Sequence, residues 1–536
     1  MKRVTTSNSS FETLISTNAL YVDKTKYIYS LVSDYGGYYF LARPRRFGKT
    51  LTLYTLEALF QGKKELFKDL YISKTDYNFK EYPVIHIDFG KIENSTVEEL
   101  RKSLISNLIQ IGKNYKVEIT NKEPLKDSLS FLIQELYNKH GSVVILVDEY
   151  DKPLSDNIYS EDVEKIRVLL RGFFEVLKAS PNYLRFVFIT GVTKYSNMSI
   201  FSSMNNLKDI SMNKNYATMF GYTQEELENN FAERIQIGME ATGLAKEEYL
   251  KALKAKYDGY CFYPNTETVY NPISISNFFF DGGEVFGNYW TESGQSNLLT
   301  NIAKQVDFQI DDGLKEAISP NDISTFDIIQ MAKTDISIKS YKALLFQSGY
   351  LTIAKPSDYD SLFLNYPNDE VREAFSEQFV KKVYLDNNTN TTFNVAKTKL
   401  AIKSGETEIL IDQIKTIFAS IPYHEYKNNQ NEGFYHSIFH TVLMAVGATI
   451  NSEIATNKGR IDTIVKSDKH IYLFEFKLNQ SATDALSQIK ERGYDEQFKE
   501  WLKEGKTVHL VGISFSTDEK NITDWVEEIY KKQCRQ

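Results

Sequence analysis

Four short and almost uninterrupted apolar runs mark the first 200 residues: Tyr38 to Ala42 (YYFLA), Val84 to Phe89 (VIHIDF), Val143 to Val147 (VVILV) and Phe186 to Thr190 (FVFIT). A strand with one wet face alternates apolar and polar residues, so runs without alternation predict strands buried on both faces. Helical spacing fills the gaps, over Leu51 to Phe60, Val97 to Ile111, Leu125 to Lys139 and Glu161 to Ala179. Such helices supply the crossovers that parallel strands need. The expected fold is therefore α/β, a parallel sheet with helices on both faces.

A chain of 536 residues exceeds one core, and at about 100 to 200 residues per unit it should form about three domains. The pattern turns amphipathic and helical from about Thr223, where Thr223-Gln-Glu-Glu226 has the form of a capping box, to Ala255. Residues 257 to 385 mix aromatic turns with short helices and suggest a connecting role. Polar tracts at 386–392 and 428–431 interrupt the chain, and the last boundary is placed at the second. The expected domains are 1–225, a helical lid and linker region 226–427, and 428–536. No repeat of 20 to 50 residues and no heptad array is present.

Composition excludes several classes. Hydrophobic content of 42% with 25% charged residues is ordinary for a globular protein, and no run approaches the roughly 20 apolar residues of a membrane span. No signal-peptide-like apolar run follows MKRVTTSNSSFETL, so a soluble, cytoplasmic protein is expected. Cys261 and Cys534 cannot make a disulfide framework or a Cys-rich zinc site. The net charge of −8 disfavours a lysine-coated surface, but nucleic-acid binding needs only a local basic groove.

The segment Ala42-Arg-Pro-Arg-Arg-Phe-Gly-Lys-Thr50 joins the first strand to a helix, where backbone N–H groups and a helix N-terminus can hold phosphates. Lys49 would reach the β and γ phosphates, Thr50 would offer its hydroxyl to magnesium, and Gly48 would allow close backbone approach. Arg45 and Arg46 complete the expected nucleotide-binding loop. The usual opening glycine is Arg43, followed by Pro44, which stiffens the entry. About 100 residues on, the strand Val143 to Val147 ends in Asp148-Glu149, at the sheet edge where ligands bind. Asp148 would hold magnesium, and Glu149 would polarise the water that attacks the γ-phosphate. Thr190, ending a further strand, is the candidate γ-phosphate sensor. Arg167, Arg171 and Arg185 stand equal as arginine fingers, and a neighbouring subunit in a homo-oligomer is another source.

Together, Phe11-Glu-Thr-Leu, Tyr21-Val-Asp-Lys-Thr25, the loop Arg43 to Thr50, Val147-Asp-Glu-Tyr-Asp-Lys-Pro153 and Thr190-Gly-Val-Thr193 resemble the bacterial AAA-ATPase-like family. The resemblance continues through Phe201 to Ile210 and covers roughly the first 225 residues, with 257 to 272 also similar. It implies a P-loop NTPase of the additional-strand class that uses ATP and Mg2+, normally with an arginine at the loop entry. Members often carry a C-terminal nuclease-like domain.

In the C-terminal region, Gly459-Arg-Ile-Asp462 is followed by an apolar strand, Ile471 to Phe474, and then Glu475-Phe-Lys477. Period-2 geometry puts Glu475 and Lys477 on one face, and a turn around Ser467 to Lys469 can bring Asp462 beside them. Asp462 and Glu475 can hold magnesium while Lys477 orients or activates water, the set that phosphodiester hydrolysis requires. Glu432, at the start of a helix, adds a carboxylate to the catalytic set, and Gln488 on the next helix would steady it. The arrangement resembles the PD-(D/E)XK nuclease superfamily over roughly 430 to 530, which implies an α/β restriction-endonuclease-like domain. His436 and His440, four apart, lack the glutamate of a zinc-protease helix and fit surface or core histidines better. Asp88-Phe-Gly90 has no catalytic His-Arg-Asp loop before it and marks a strand end.

These features point to an ATP-hydrolysing domain coupled to a magnesium-dependent nuclease acting on nucleic acid, DNA ahead of RNA, in defence or mobile-element handling. The same residues leave two alternatives open: a nucleotide-dependent switch or scaffold whose nuclease fold does not cut, and an ATPase that remodels protein complexes.

Overall fold

The computed structural model describes every residue except 7–9, 36, 120–123, 195–205, 291–298, 300–301, 303–316, 325–336, 355–356, 386–393, 422–430, 457–458, 492–499 and 531–536; over 449–461 only the backbone is described. The polar tract 386–392 and all but Asn431 of the second tract lie outside the described residues, as do the family-like residues 201–205. The chain divides into two compact units, Met1–Ser293 with Leu314–Asn368, and Gly294–Gly313 with Asp369–Gln536. Among the described residues no helix is long and apolar enough to cross a membrane.

The first unit is built on five parallel strands, β1 (Gly37–Ala42), β2 (Val84–Asp88), β3 (Val143–Asp148), β4 (Leu184–Gly191) and β5 (Leu207–Asp209). Every residue of β1, β3 and β4 is buried, which is why their sequences do not alternate. The strand order is β2-β3-β4-β1-β5. The last long strand in sequence is thus inserted between the strand that leads into the basic loop and the strand that ends in Asp148. The crossover helices are Lys49–Phe60, Val97–Asn114, Leu125–His140 and Val163–Ala179, each within a few residues of its sequence expectation.

The helical region after the sheet begins as anticipated. Thr223 Oγ1 accepts from the Glu226 N–H at 3.2 Å and Glu226 Oε2 accepts from the Thr223 N–H at 2.9 Å, a closed capping box. The same Glu226 carboxylate receives Lys24 Nζ at 2.6 Å, so the Tyr21-to-Thr25 motif fastens the N-terminal segment to this helix. Further on, β6 (Thr352–Ile353) and β7 (Leu364–Asn365) form a short antiparallel pair.

The second unit carries a mixed sheet of β8 (Thr449–Thr456), β9 (Gly459–Lys466), β10 (His470–Leu478), β11 (Thr507–Ser516) and β12 (Asn521–Ile529), in the order β12-β11-β10-β9-β8. Only β10 and β11 run parallel, and the helix Ala482–Glu491 lies in their crossover. Its Leu486 and Ile489 pack with Ile471, Leu473, Val508 and Leu510, the odd-numbered positions of β10 and their β11 neighbours. The helix Glu432–Ala445, capped by Asn431 on the Phe434 N–H at 2.9 Å, covers the other face, with Phe439 against Phe474 and Phe476. The helices Asp369–Phe379 and Thr407–Ser420 also belong to this unit, against Glu432–Ala445 and β12 respectively.

One glycine sets how closely Ala482–Glu491 approaches its sheet. A Cβ on Gly512 would lie 2.2 Å from the Ala482 carbonyl oxygen and 2.7 Å from the Leu486 nitrogen. Both neighbours are backbone and cannot rotate away. Gly512→Ala is expected to destabilise the second unit by about 1–3 kcal/mol, the usual cost of overpacking, measured as a lower midpoint for its transition in urea unfolding.

Candidate active sites

The basic loop leaves the carboxyl edge of the first sheet and ends in the helix Lys49–Phe60. Gly48, at its N-cap, has φ 92°, a left-handed conformation that a side chain would resist although nothing lies within 4 Å of where a Cβ would stand. Lys49 is buried, and its Nζ donates to the carbonyl oxygens of Arg43 and Pro44 at 2.9 Å each. Burial holds its pKa below the usual lysine value, against the opposing pull of Asp148. Arg45 is half-buried, and its buried Nε has no hydrogen-bond partner among the described residues. An orphaned donor inside a cationic loop at a helix N-terminus fits the oxygens of a bound triphosphate. Arg46, with φ 65°, is exposed.

Asp148 is the centre of this edge. It is 1% exposed, its Oδ2 accepts from Thr50 Oγ1 at 2.6 Å, and its Oδ1 accepts from Thr190 Oγ1 at 2.6 Å. A buried carboxylate beside a threonine hydroxyl is a donor set that suits magnesium, which prefers hard oxygen ligands. Glu149 follows in the left-handed region, φ 50°, a conformation that costs a non-glycine residue about 1–3 kcal/mol. Burial, reinforced by Asp148, raises its pKa above the ordinary carboxylate range. Its Oε2 lies beside Gly90, where a Cβ would come within 2.9 Å of it.

The second site lies along β9 and β10. The ladder pairs Phe474 with Thr463, and beyond that point the Asp462 carboxylate replaces a backbone acceptor, with its Oδ2 taking the Phe476 N–H at 2.9 Å. This draws Asp462 beside Glu475, which is 1% exposed. Glu475 and Lys477 are odd-numbered positions of β10, on the face covered by Ala482–Glu491 and paired with Gly512 and Ser514 of β11. Gln488 is half-buried on that covering helix. Glu432 is exposed in the first turn of the helix on the opposite face. One turn further along that helix, His436 Nε2 meets the Asp462 carbonyl oxygen at 3.3 Å and Thr463 Oγ1 at 3.0 Å. Among the described residues no group of three or more His, Cys, Asp or Glu side chains converges to hold a metal.

A family model described as "Predicted AAA-ATPase" matches residues 6–201, and one described as "PD-(D/E)XK nuclease superfamily" matches 430–525. An Azotobacter chroococcum mcd 1 protein, "Uncharacterized protein in vnfD 5'region", is 33% identical over 521 residues, 95% of each chain. The chain belongs to the AAA-ATPase-like family and carries a C-terminal PD-(D/E)XK nuclease superfamily domain. Among solved structures it is distantly similar to the Aeropyrum pernix ORC1 protein in complex with DNA, at 9% identity and TM-score 0.25, covering 67% of this chain and 93% of that one. The Aeropyrum pernix ORC2 protein in its ADPNP–ADP complexes gives 12% identity and TM-score 0.24, with 67% and 92% covered.

Several residues of the AAA-ATPase-like domain escape a sequence-only reading. Asp151 is buried, and its carboxylate accepts from the N–H groups of Val192 and Thr193 and from Thr193 Oγ1, between 2.7 and 3.2 Å. It ties the acidic segment to the chain leaving β4; its place three residues after Asp148 was the available signal. Gly191 admits the Tyr150 ring, which stands 2.6 Å from where a Cβ would be. Arg43 is buried and its guanidinium donates to the carbonyls of Ala42, Ser211 and Tyr216, with its pKa lowered by burial to about 9. Arg185 sits at the amino end of β4, its guanidinium on the carbonyls of Val32 and Asp34, which removes it from the arginine-finger candidates. Arg167 and Arg171 pair with Glu164 and Glu175 on one helix. His440 is a core histidine, whereas His436 is a contact of the Asp462 strand.

The raised Glu149 pKa has a sign that can be tested. The folded protein holds this proton more tightly than the unfolded chain, so the group's stabilising contribution is full below the unfolded pKa and is lost as pH rises through the folded one. Above the unfolded pKa this group therefore weighs against the fold. Glu149→Gln is expected to raise the thermal midpoint of the first unit near pH 7, with the gain shrinking toward zero at about pH 4, followed by calorimetry across that range.

Proposed function

We propose that this chain binds and hydrolyses ATP in its first unit, and that nucleotide state controls a magnesium-dependent phosphodiesterase in its C-terminal domain. The substrate is nucleic acid, DNA ahead of RNA, and the setting is defence against foreign DNA or the handling of mobile elements. The observation that carries the first part is the carboxylate of Asp148, bonded at 2.6 Å both to the hydroxyl that opens the loop helix and to the hydroxyl that ends β4. That arrangement joins phosphate loop, acidic strand and intervening strand at one point.

Lys49 would exchange the Arg43 and Pro44 carbonyls for β and γ phosphate oxygens, and Arg45 would satisfy its orphaned donor on the same ligand. Glu149, with its raised pKa, would accept the proton of the attacking water. Thr50 and Asp148 would hold magnesium at this site, and Asp462 and Glu475 at the second. When bound, magnesium supplies positive charge to the phosphoryl oxygens. Lys477 would orient or activate water beside the scissile phosphate, whereas Glu432, exposed on the helix that covers the opposite face, is left out of this set.

The test is a magnesium-dependent cleavage assay on single-stranded DNA, double-stranded DNA and RNA, with and without ATP. Wild type is expected to cut with a dependence on ATP, Asp462→Ala and Lys477→Ala to lose cutting by at least about 100-fold, and Lys49→Ala to lose nucleotide binding and the ATP dependence together. Glu149→Gln should retain bound ATP with little turnover. Intact ATP turnover with no cleavage of any substrate would sink the nuclease reading in favour of a nucleotide-dependent switch; turnover stimulated by protein and indifferent to DNA would favour a remodelling ATPase.

A further inference from the structure

The stiff entry of the phosphate loop has an unexpected partner in the 258–263 turn, which belongs to the connecting region of the sequence. The Arg43 guanidinium, which stands where the loop's opening glycine would be, lies over the Phe262 ring with its carbon 4.1 Å from the centroid. At the far end of the loop, just before Gly48, the buried Phe47 ring packs edge-on against the same Phe262 ring at 5.4 Å and against Tyr260 at 4.8 Å. One aromatic side chain therefore braces both ends of the loop. A desolvated arginine over an aromatic face is a strong contact of its kind, and Arg43 is 2% exposed.

The turn that presents Phe262 is itself fixed to a later segment. The Cys261 N–H donates to Thr352 Oγ1 at 2.7 Å, and that hydroxyl donates back to the Cys261 carbonyl at 3.2 Å. Gly259 has φ 106°, and a Cβ there would lie 1.8 Å from the Pro367 carbonyl oxygen, so only glycine permits the approach. Asn368 Nδ2 donates to the Asp258 carbonyl at 2.8 Å. Asn368 is the last residue of the first unit, and the chain continues at Asp369 into the unit that carries the nuclease-superfamily domain.

We infer that Phe262 is a positioning residue for the phosphate loop, and that the turn bearing it carries the loop's state to Pro367 and Asn368, the covalent exit toward the second unit. This rests on the proposed binding of ATP in the loop. Closure of Arg45 and Lys49 onto phosphates moves a segment whose two ends share one ring, so the ring and its turn must follow or resist. The connecting region thus acts as the coupling element between nucleotide and exit.

The test is hydrogen exchange on the full chain with and without Mg-ATP, read separately at residues 43–50, 258–263 and 364–368. In wild type ATP should slow exchange in all three. Phe262→Ala should weaken ATP binding about tenfold, and at saturating ATP should protect 43–50 while leaving 364–368 unchanged. Phe262→Tyr should restore the wild-type pattern. Asn368→Ala, which leaves the ring contacts in place, should bind ATP within about twofold of wild type yet lose the response at 364–368. Protection at 43–50 with none at 364–368 in wild type would overturn the coupling while leaving ATP binding standing. So would an unaltered response in both Phe262→Ala and Asn368→Ala. No ATP response at 43–50 would overturn the nucleotide reading and this inference with it.

Discussion

The Asp148 carboxylate is bonded at both oxygens by threonine hydroxyls, one from the helix that ends the phosphate loop and one from β4. This is feasible only because β4 lies between β1 and β3; were β1 and β3 adjacent, no residue of β4 could stand between the loop and the acidic strand. A carboxylate that is 1% exposed would be costly to leave without partners, and the two hydroxyls supply them. The rest of the edge follows from it. Asp151 anchors the chain leaving β4, and Glu149 is turned into a left-handed, half-buried position next to Asp148.

The second unit meets a similar constraint by different means. Instead of an inserted strand, a hairpin gives up one ladder bond, and a side-chain carboxylate takes the N–H of Phe476. That substitution brings Asp462 next to Glu475 without a long loop, and His436 supports the same peptide from the opposite face of the sheet. Two carboxylates on neighbouring strands are the hard oxygen donors that a magnesium ion prefers.

Much of this was legible in the sequence because the signals were strong and local. Unalternated apolar runs gave β1 to β4, the Thr223 capping box closed as its spacing implied, and the Glu475-Phe-Lys477 alternation put the two charged residues on one face. What could not be seen depended on contacts distant in sequence. Phe262 lies more than 200 residues from Arg43, and neither carries a pattern that announces the other. In the sequence Arg43 marks only a loop entry without its usual glycine, whereas in the fold its guanidinium is held by three carbonyls and a ring. Helices of the connecting region that belong with the C-terminal sheet were hidden for a related reason, since amphipathic periodicity shows that a face is buried and not against what.

The central claim is that Asp148 joins the loop, the acidic strand and β4 into one magnesium-nucleotide site. Calorimetric titration of ATP into wild type and Asp148→Asn, each with and without magnesium, tests it most directly. Wild type should bind ATP about tenfold or more tightly with magnesium than without it, and Asp148→Asn should bind metal-free ATP but lose the enhancement. An Asp148→Asn variant that kept the full magnesium enhancement would contradict the account.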